Sequence, residues 1–135
     1  MSEFATLQLP QSATVVAPDG SNVRVLLGLA GGTMAHFELP PGSTSGAVAH
    51  RTVEEIWYVL GGRGEMWRRQ GEREEIVELV PGRCLTLPLG THFQFRASAA
   101  QALEVLGITM PPWPGADEAF AVPGPWAQGP GPRAA

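Results

Sequence analysis

The chain has 135 residues, 44% of them apolar, which suits one globular domain with its own core and leaves no room for a second. The net charge is −4, with Arg and Glu interspersed, so the concentrated basic face that phosphate binding needs is missing. Cys84 is the single cysteine, which excludes an internal disulfide and a multi-cysteine zinc cluster. We therefore expect a small-molecule or protein ligand, and neither a nucleic acid nor a membrane as partner.

The N-terminal stretch "MSEFATLQLP" lacks a basic start followed by an apolar run, so it does not resemble a secretion signal. No stretch approaches the roughly 20 apolar residues that span a bilayer. A reducing compartment is the simplest interpretation of the cysteine content, and we expect a soluble cytoplasmic protein.

Short β-type runs follow one another along the chain, separated by turn residues at intervals of about 8 to 12 residues. In chain order the runs are 13–17, 23–29, 33–39, 54–60, 64–69, 75–79, 84–88, 93–97 and 102–110. Segments such as "APDG", "LPPG" and "VPGR" stand between them and supply the backbone angles of turns. Since no stretch has helical periodicity, we predict an all-β domain over residues 1–110.

Residues 111–135 differ in composition from the rest of the chain. They hold seven prolines and four glycines in 25 residues, too many to continue a sheet. They also hold Trp113 and Trp126, whose large rings we expect to dock onto the domain or a partner chain. We expect residues 127–135 to be disordered, so this tail is partly docked and partly disordered.

Two groups of residues each have a characteristic spacing along the chain. The first group is Gly42, Val48, His50, Glu55 and Gly62. The second group is Gly82, Pro88, Gly90, Phe93 and Ala97. In the placing of every glycine and the proline the chain resembles the cupins, over roughly residues 20–110. The resemblance implies a double-stranded β-helix, or jelly-roll, barrel of two antiparallel sheets.

The resemblance also implies where a metal would bind. Cupin metal ligands are two histidines and a glutamate of the first motif and a histidine of the second. Here Val48 and Phe93 stand at two of these positions, which leaves His50 and Glu55, and two ligands rarely hold a divalent ion. We expect no tightly bound cofactor. The alternative is a divalent metal (Fe, Mn, Zn or Ni) whose site is completed by one of two further histidines, His92 or His36.

Side chains alternate across a strand, which predicts the faces of two runs. If Glu55 faces the interior, Trp57 faces it too, and Phe93 and Phe95 lie inside in the later run. The outward positions of that run are then His92, Gln94 and Arg96. The opposite register would turn His92 inward as a third ligand. The first register is favoured because burial of an apolar ring gains roughly 2 kcal/mol, whereas a buried Arg needs a partner.

A carboxylate among apolar side chains is desolvated, which raises its pKa and fits it for proton transfer. We therefore interpret His50 and Glu55 as a catalytic acid and base. The expected substrate-binding wall consists of Val48, Trp57, Phe93 and Phe95. The plainer alternative is a hydrogen-bonded His and Glu that only close the end of a strand.

Three further expectations concern residues outside this group. His36 lies on the opposite face of its run from Phe37 and Leu39, so we expect a surface or dimer-interface histidine. With no histidine arranged around it, Cys84 is interpreted as a small core residue. The β-forming runs before Gly31 would leave an open sheet edge, and Trp113 and Trp126 add apolar area, so we expect a homodimer.

Three functions stay open at this point. One is a metal-free enzyme of the isomerase, epimerase, cyclase or decarboxylase type, with His50 and Glu55 acting on a small organic substrate. Another is a metal-dependent oxygenase or lyase. The remaining one is a small-ligand binding or sensor module without catalysis, since a fold does not fix a function.

Overall fold

The computed structural model describes residues 3–17 and 19–130. These residues form antiparallel strands and one short 3₁₀ helix at Ala116–Glu118. The strands are β1 (Val15–Val16), β2 (Asn22–Leu29), β3 (Gly32–Leu39), β4 (Val48–His50), β5 (Glu54–Gly61), β6 (Gly64–Gln70), β7 (Arg73–Leu79), β8 (Cys84–Leu87), β9 (His92–Ala97), β10 (Leu103–Met110) and β11 (Ala119–Ala121). Among the described residues, no helix is long and apolar enough to cross a membrane.

The strands build two sheets. The six-stranded sheet has the order β1-β2-β3-β10-β5-β8, and the five-stranded sheet has the order β11-β4-β9-β6-β7. The predicted all-β architecture of two antiparallel sheets is confirmed. The sheets face each other but no ladder joins them among the described strands, so they do not close into a barrel.

Every run predicted from the sequence contains a strand, and two strands were missed. These are β4 and β11, which pair with each other through Ala119↔His50, Phe120↔Ala49 and Ala121↔Val48. Each has three residues, too few to show a period of two. Their pairing brings the C-terminal segment to the end of β4, beside His50.

The core lies between the two sheets, and the alternation of side chains places it there. On β5, Glu55, Trp57 and Val59 are buried, whereas the intervening Ile56 and Tyr58 are exposed. The apolar core consists of Leu39, Val48, Trp57, Val59, Met66, Leu79, Leu85, Leu87, Phe93, Phe95, Ala97, Leu103 and Val105. One polar pair, His50 and Glu55, lies at the margin of this core.

Two expectations about single residues were wrong. His36 lies on the outer face of the six-stranded sheet but is only 3% exposed. Its ring is covered by Arg24, whose guanidinium lies 3.3 Å from Nδ1 and also donates to the carbonyls of Pro10 and Gln11. Cys84 is exposed, because it begins the edge strand β8 and its neighbour Leu85 takes the inward position.

The C-terminal segment packs along the outer face of the five-stranded sheet. Gln94 donates to the carbonyl of Trp126 at 2.8 Å and accepts from its N–H at 3.1 Å. The Arg96 guanidinium lies 4.0 Å from the centre of the Trp126 ring. Gln94, expected to face outward, is therefore on the outer face yet buried beneath this segment. Residues 131–135, within the stretch expected to be disordered, lie outside the described residues.

Candidate functional site

The site lies where β4 ends and β5 begins. His50 is the last residue of β4, Glu55 is the second residue of β5, and both side chains turn toward the core. His50 Nδ1 lies 3.6 Å from Glu55 Oε1. The two residues are 7% and 4% exposed, so this polar pair is almost wholly removed from water.

The Glu55 carboxylate is held in place and shifted in acidity. Its Oε2 accepts a hydrogen bond from the indole N–H of Trp57. Burial raises the pKa of Glu55 to about 7, the Trp57 hydrogen bond lowers it, and repulsion from Asp19 raises it further. At neutral pH this carboxyl is therefore divided between its acid and base forms, as proton transfer requires.

The His50 ring is shifted in the opposite direction. Burial lowers the pKa of His50 to about 4, and attraction from Glu118 acts against that shift. The ring lies edge-on to Phe93 and Trp113, with centroids 5.3 and 5.2 Å away. His50 is thus neutral at pH 7, and Glu55 is the member of the pair that titrates there.

Aromatic rings form the wall beside the pair. Trp57 meets Phe93 and Phe95 edge-on at 6.1 and 4.9 Å and stacks on Phe37 at 5.4 Å. Val48 pairs with Phe93 across β4 and β9. The structure brings together the six residues that sequence analysis selected for the site. It adds Phe37, which lies on the face of β3 opposite His36 and stacks on Trp57.

Asp19 is an acidic residue of the site that sequence reasoning missed. Its Oδ1 accepts from the Ser21 N–H at 2.9 Å and the Ser21 hydroxyl at 2.7 Å. Its carbonyl accepts from the Gly46 N–H at 2.8 Å, which ties this turn to the segment before β4. Burial raises the pKa of Asp19, against hydrogen bonds from Ser21 that lower it. "APDGS" has the composition of a turn, so nothing in its pattern indicated a carboxylate whose charge acts on Glu55.

Glu118 fastens the C-terminal segment over the end of β4, and sequence reasoning missed it too. Its carboxylate accepts from the N–H groups of Thr52 and Val53 at 2.6 and 3.1 Å and from the Thr52 hydroxyl. Burial alone would raise the pKa of Glu118, but these hydrogen bonds outweigh it and lower that pKa. Thr52 and Glu118 are 66 residues apart, so no local signal could link them. Trp113, earlier in the same segment, lies against His50.

Comparison with known families assigns the chain. Residues 35–109 match the model of the cupin domain, which is more than half of the chain. The chain belongs to the cupin family. No curated protein matches it at a significant level.

Solved cupin-like structures resemble it in fold. A Bacillus halodurans protein superposes with a TM-score of 0.61 at 22% identity, over 67% of this chain and 70% of that chain. A conserved Klebsiella pneumoniae protein with a double-stranded β-helix domain superposes with a TM-score of 0.64 at 15% identity, over 81% of this chain and 91% of that chain. A predicted oxalate decarboxylase of Thermotoga maritima superposes with a TM-score of 0.56 at 23% identity, over 67% of this chain and 79% of that chain. At these identities the likeness concerns the fold alone.

The residues of this cupin do not fit the metal site of the family. Within residues 3–17 and 19–130, no group of three or more His, Cys, Asp or Glu side chains is placed to hold an ion. Two of the family's ligand positions are the apolar Val48 and Phe93, which pair with each other. His92 precedes Phe93 on β9 and so lies on the opposite face, and His36 lies on the outer face of the other sheet. Neither histidine completes a site with His50 and Glu55.

Proposed function

We propose that this cupin binds a small organic molecule against its aromatic wall and that Glu55, beside a neutral His50, exchanges a proton with it. The observation that carries the proposal is the buried carboxyl of Glu55, with a pKa of about 7, 3.6 Å from His50 Nδ1. Perturbed acids in an apolar setting with few polar groups are typical of catalytic sites.

The chemistry follows from the two protonation states of Glu55. The protonated acid can donate to a carbonyl or enolate oxygen, and the ionised form can remove a proton next to a carbonyl group. Trp57 fixes one carboxylate oxygen, which leaves the other toward His50. The neutral ring can accept or donate one hydrogen bond and so relay the proton or orient the substrate. Isomerisation, epimerisation, cyclisation and decarboxylation use steps of this kind.

Access to the pair requires a movement of the C-terminal segment. Trp113 lies against the His50 ring, and Glu118 binds the turn between β4 and β5. Because His50 and Glu55 are nearly buried in this arrangement, a substrate reaches them only when the segment opens. We propose that residues 113–121 act as a lid over the site.

The near-complete burial of the pair supports a second candidate, a small-ligand binding or sensor module that performs no reaction. Both candidates are tested by screening small carbonyl, enol and sugar-like compounds and then comparing Glu55→Gln and His50→Ala with wild type. An enzyme keeps its affinity for the hit compound in Glu55→Gln and loses turnover. Glu54→Gln, a change of the neighbouring exposed carboxylate, is the matched control. Equal turnover in Glu55→Gln and wild type contradicts the proposed role of Glu55.

We also propose that the chain forms a homodimer. Trp113 and Trp126 pack on the chain itself, so they no longer supply apolar area for a partner. The outer face of the six-stranded sheet instead exposes a contiguous set of apolar side chains on the paired strands β5 and β10. The set consists of Ile56, Tyr58, Leu60 and Ile108. Such a face is typical of association between chains. The cytoplasmic location stays a prediction.

A further inference from the structure

A polar cavity lies at the seam between the two sheets. It has a volume of about 140 Å³, is partly open to solvent, and lies between the β6–β7 hairpin on one side and β8 with the turn after it on the other. β7 and β8 are edge strands of different sheets, so no ladder closes this seam. Arg68 crosses it, donating from Nη1 to the carbonyl of Thr86 at 2.9 Å. The cavity is much larger than the ~10–15 Å³ that one water molecule needs.

The wall of this cavity contains a hydroxyl without a protein partner. Thr91 is only 3% exposed, and its Oγ1 makes no hydrogen bond to the described residues. The backbone N–H of Thr91 donates to the carbonyl of Pro88 at 3.0 Å. The turn therefore pairs this N–H but not the hydroxyl of the same residue. Buried hydroxyl groups are usually paired, because an unpaired one loses its hydrogen bonds to water without replacement. The oxygen itself has almost no exposed area, so a ligand in the cavity would complete this group after a rotation of the Thr91 side chain toward the cavity.

The charges in the wall favour an anion. Arg68 and Arg73 both contact the carboxylate of Glu75. Arg68 Nη2 lies 2.5 Å from Oε1, and Arg73 Nη2 lies 3.5 Å from Oε2. Two guanidinium groups around one carboxylate leave a net positive charge. The contact of Arg73 is too long for a strong hydrogen bond, so its planar set of donors stays available. Guanidinium groups bind carboxylate and phosphate groups preferentially, because their paired N–H donors match two oxygens.

We infer that this cavity is an oxyanion subsite, in which Arg68, Arg73 and the Thr91 hydroxyl bind a carboxylate or phosphate group. The two groups share the chemistry that the cavity recognises, namely negative oxygens that accept from guanidinium and hydroxyl donors. Glu75 holds the two arginines near each other and keeps their charge partly neutralised while the cavity is unliganded.

The cavity adjoins the candidate acid–base site. Leu87, the cross-strand partner of Glu55, is followed in the chain by Pro88 of the cavity wall. Arg68 pairs across strands with Phe93, which packs on His50. The subsite is therefore placed to bind the anionic end of an organic substrate near Glu55. This last step rests on the proposed function, whereas anion binding does not.

The test is a titration of the ¹⁵N-labelled protein with inorganic phosphate, and separately with acetate, at an ionic strength kept constant with chloride. Shifts should concentrate at the backbone signals around Arg68, Arg73 and Thr91. Loss of one charge-assisted pair in Arg73→Gln should weaken binding about tenfold. Thr91→Val keeps the shape of the side chain, so it should fold as wild type does and still bind severalfold more weakly. Saturation by acetate identifies a carboxylate subsite, and saturation by phosphate alone identifies a phosphate subsite.

The matched control is Arg63→Gln, which removes the same charge from an exposed pair with Glu78 away from this cavity. It should change the affinity less than twofold. The inference is wrong if chloride gives the same shifts, if Arg63→Gln weakens binding as much as Arg73→Gln, or if Thr91→Val binds as wild type does. Glu55→Gln removes a neighbouring negative charge, so it should bind the anion at least as tightly as wild type does. Failure of the subsite and failure of the acid–base proposal therefore give different results.

Discussion

Replacing Glu55 by Gln should stabilise the protein at alkaline pH and leave it nearly unchanged at acidic pH. Glu55 has an ordinary pKa of 4.5 when exposed and a pKa of about 7 in the folded chain. The folded state therefore binds its proton more tightly than the unfolded state, and the stability it contributes is lost as pH rises from 4.5 through 7. The shift corresponds to about 3 kcal/mol, since one pKa unit is worth about 1.4 kcal/mol.

Gln is a suitable replacement because it imitates the protonated acid. Its amide oxygen can still accept the Trp57 N–H, and its amide N–H faces His50 Nδ1, which lies 3.6 Å from Glu55 Oε1 in wild type. The expected difference in the free energy of unfolding, Glu55→Gln minus wild type, rises by about 3 kcal/mol between pH 4.5 and 8. His50 contributes an opposing trend. Because its pKa is lowered from 6.5 to about 4, the folded state gains stability as pH rises from about 4 toward 6.5. That trend is common to both proteins and cancels in the difference.

Urea unfolding followed by far-ultraviolet circular dichroism at several pH values and one ionic strength measures this difference. The control, Glu54→Gln, changes an exposed neighbour on the other face of β5 and should stay within about 0.5 kcal/mol of wild type at every pH. A flat difference curve for Glu55→Gln, or lower stability than wild type at pH 8, would refute the argument from burial.

Three further predictions follow from the lid and the sheet surfaces. Glu118→Ala removes the hydrogen bonds from the N–H groups of Thr52 and Val53, the second of which is buried, so unfolding in urea should become easier by about 2 kcal/mol. Unchanged protection of those amides in hydrogen exchange would contradict this expectation. Because the pKa of Glu118 is lowered, the stabilisation that this variant lacks is present above pH 4.5 and disappears as pH falls further, so wild type and variant should converge in acid. Light scattering at micromolar concentration should give twice the chain mass of 14.3 kDa, and Tyr58→Lys should shift it toward the monomer; a wild-type mass near 14.3 kDa rules the dimer out.

Local patterns predicted the faces of the strands well. In β5 the alternation placed Glu55 and Trp57 inside, as the structure has them. In β9 it placed Phe93 and Phe95 inside. The reason is physical, because the period of two is a property of the strand itself and requires no knowledge of what packs on it.

Contacts between distant segments could not be predicted in this way. Gln94 and His36 occupy outward positions and are still buried, because Trp126 and Arg24 with the N-terminal segment cover them. The position of Asp19 depends on a turn that folds back toward Gly46, and the turn composition predicts only the bend. Glu118 reaches Thr52 across 66 residues, so the lid emerges only from the packing of the whole chain.

The metal content of untagged protein, purified without added metal, tests the central claim most directly. Val48 and Phe93 fill two of the family's ligand positions with apolar side chains, and His36 and His92 lie on other faces. We therefore expect less than half an equivalent of any first-row transition metal by elemental analysis. One full equivalent that disappears in both His50→Ala and Glu55→Gln would contradict the account and make the chain a metal-dependent cupin.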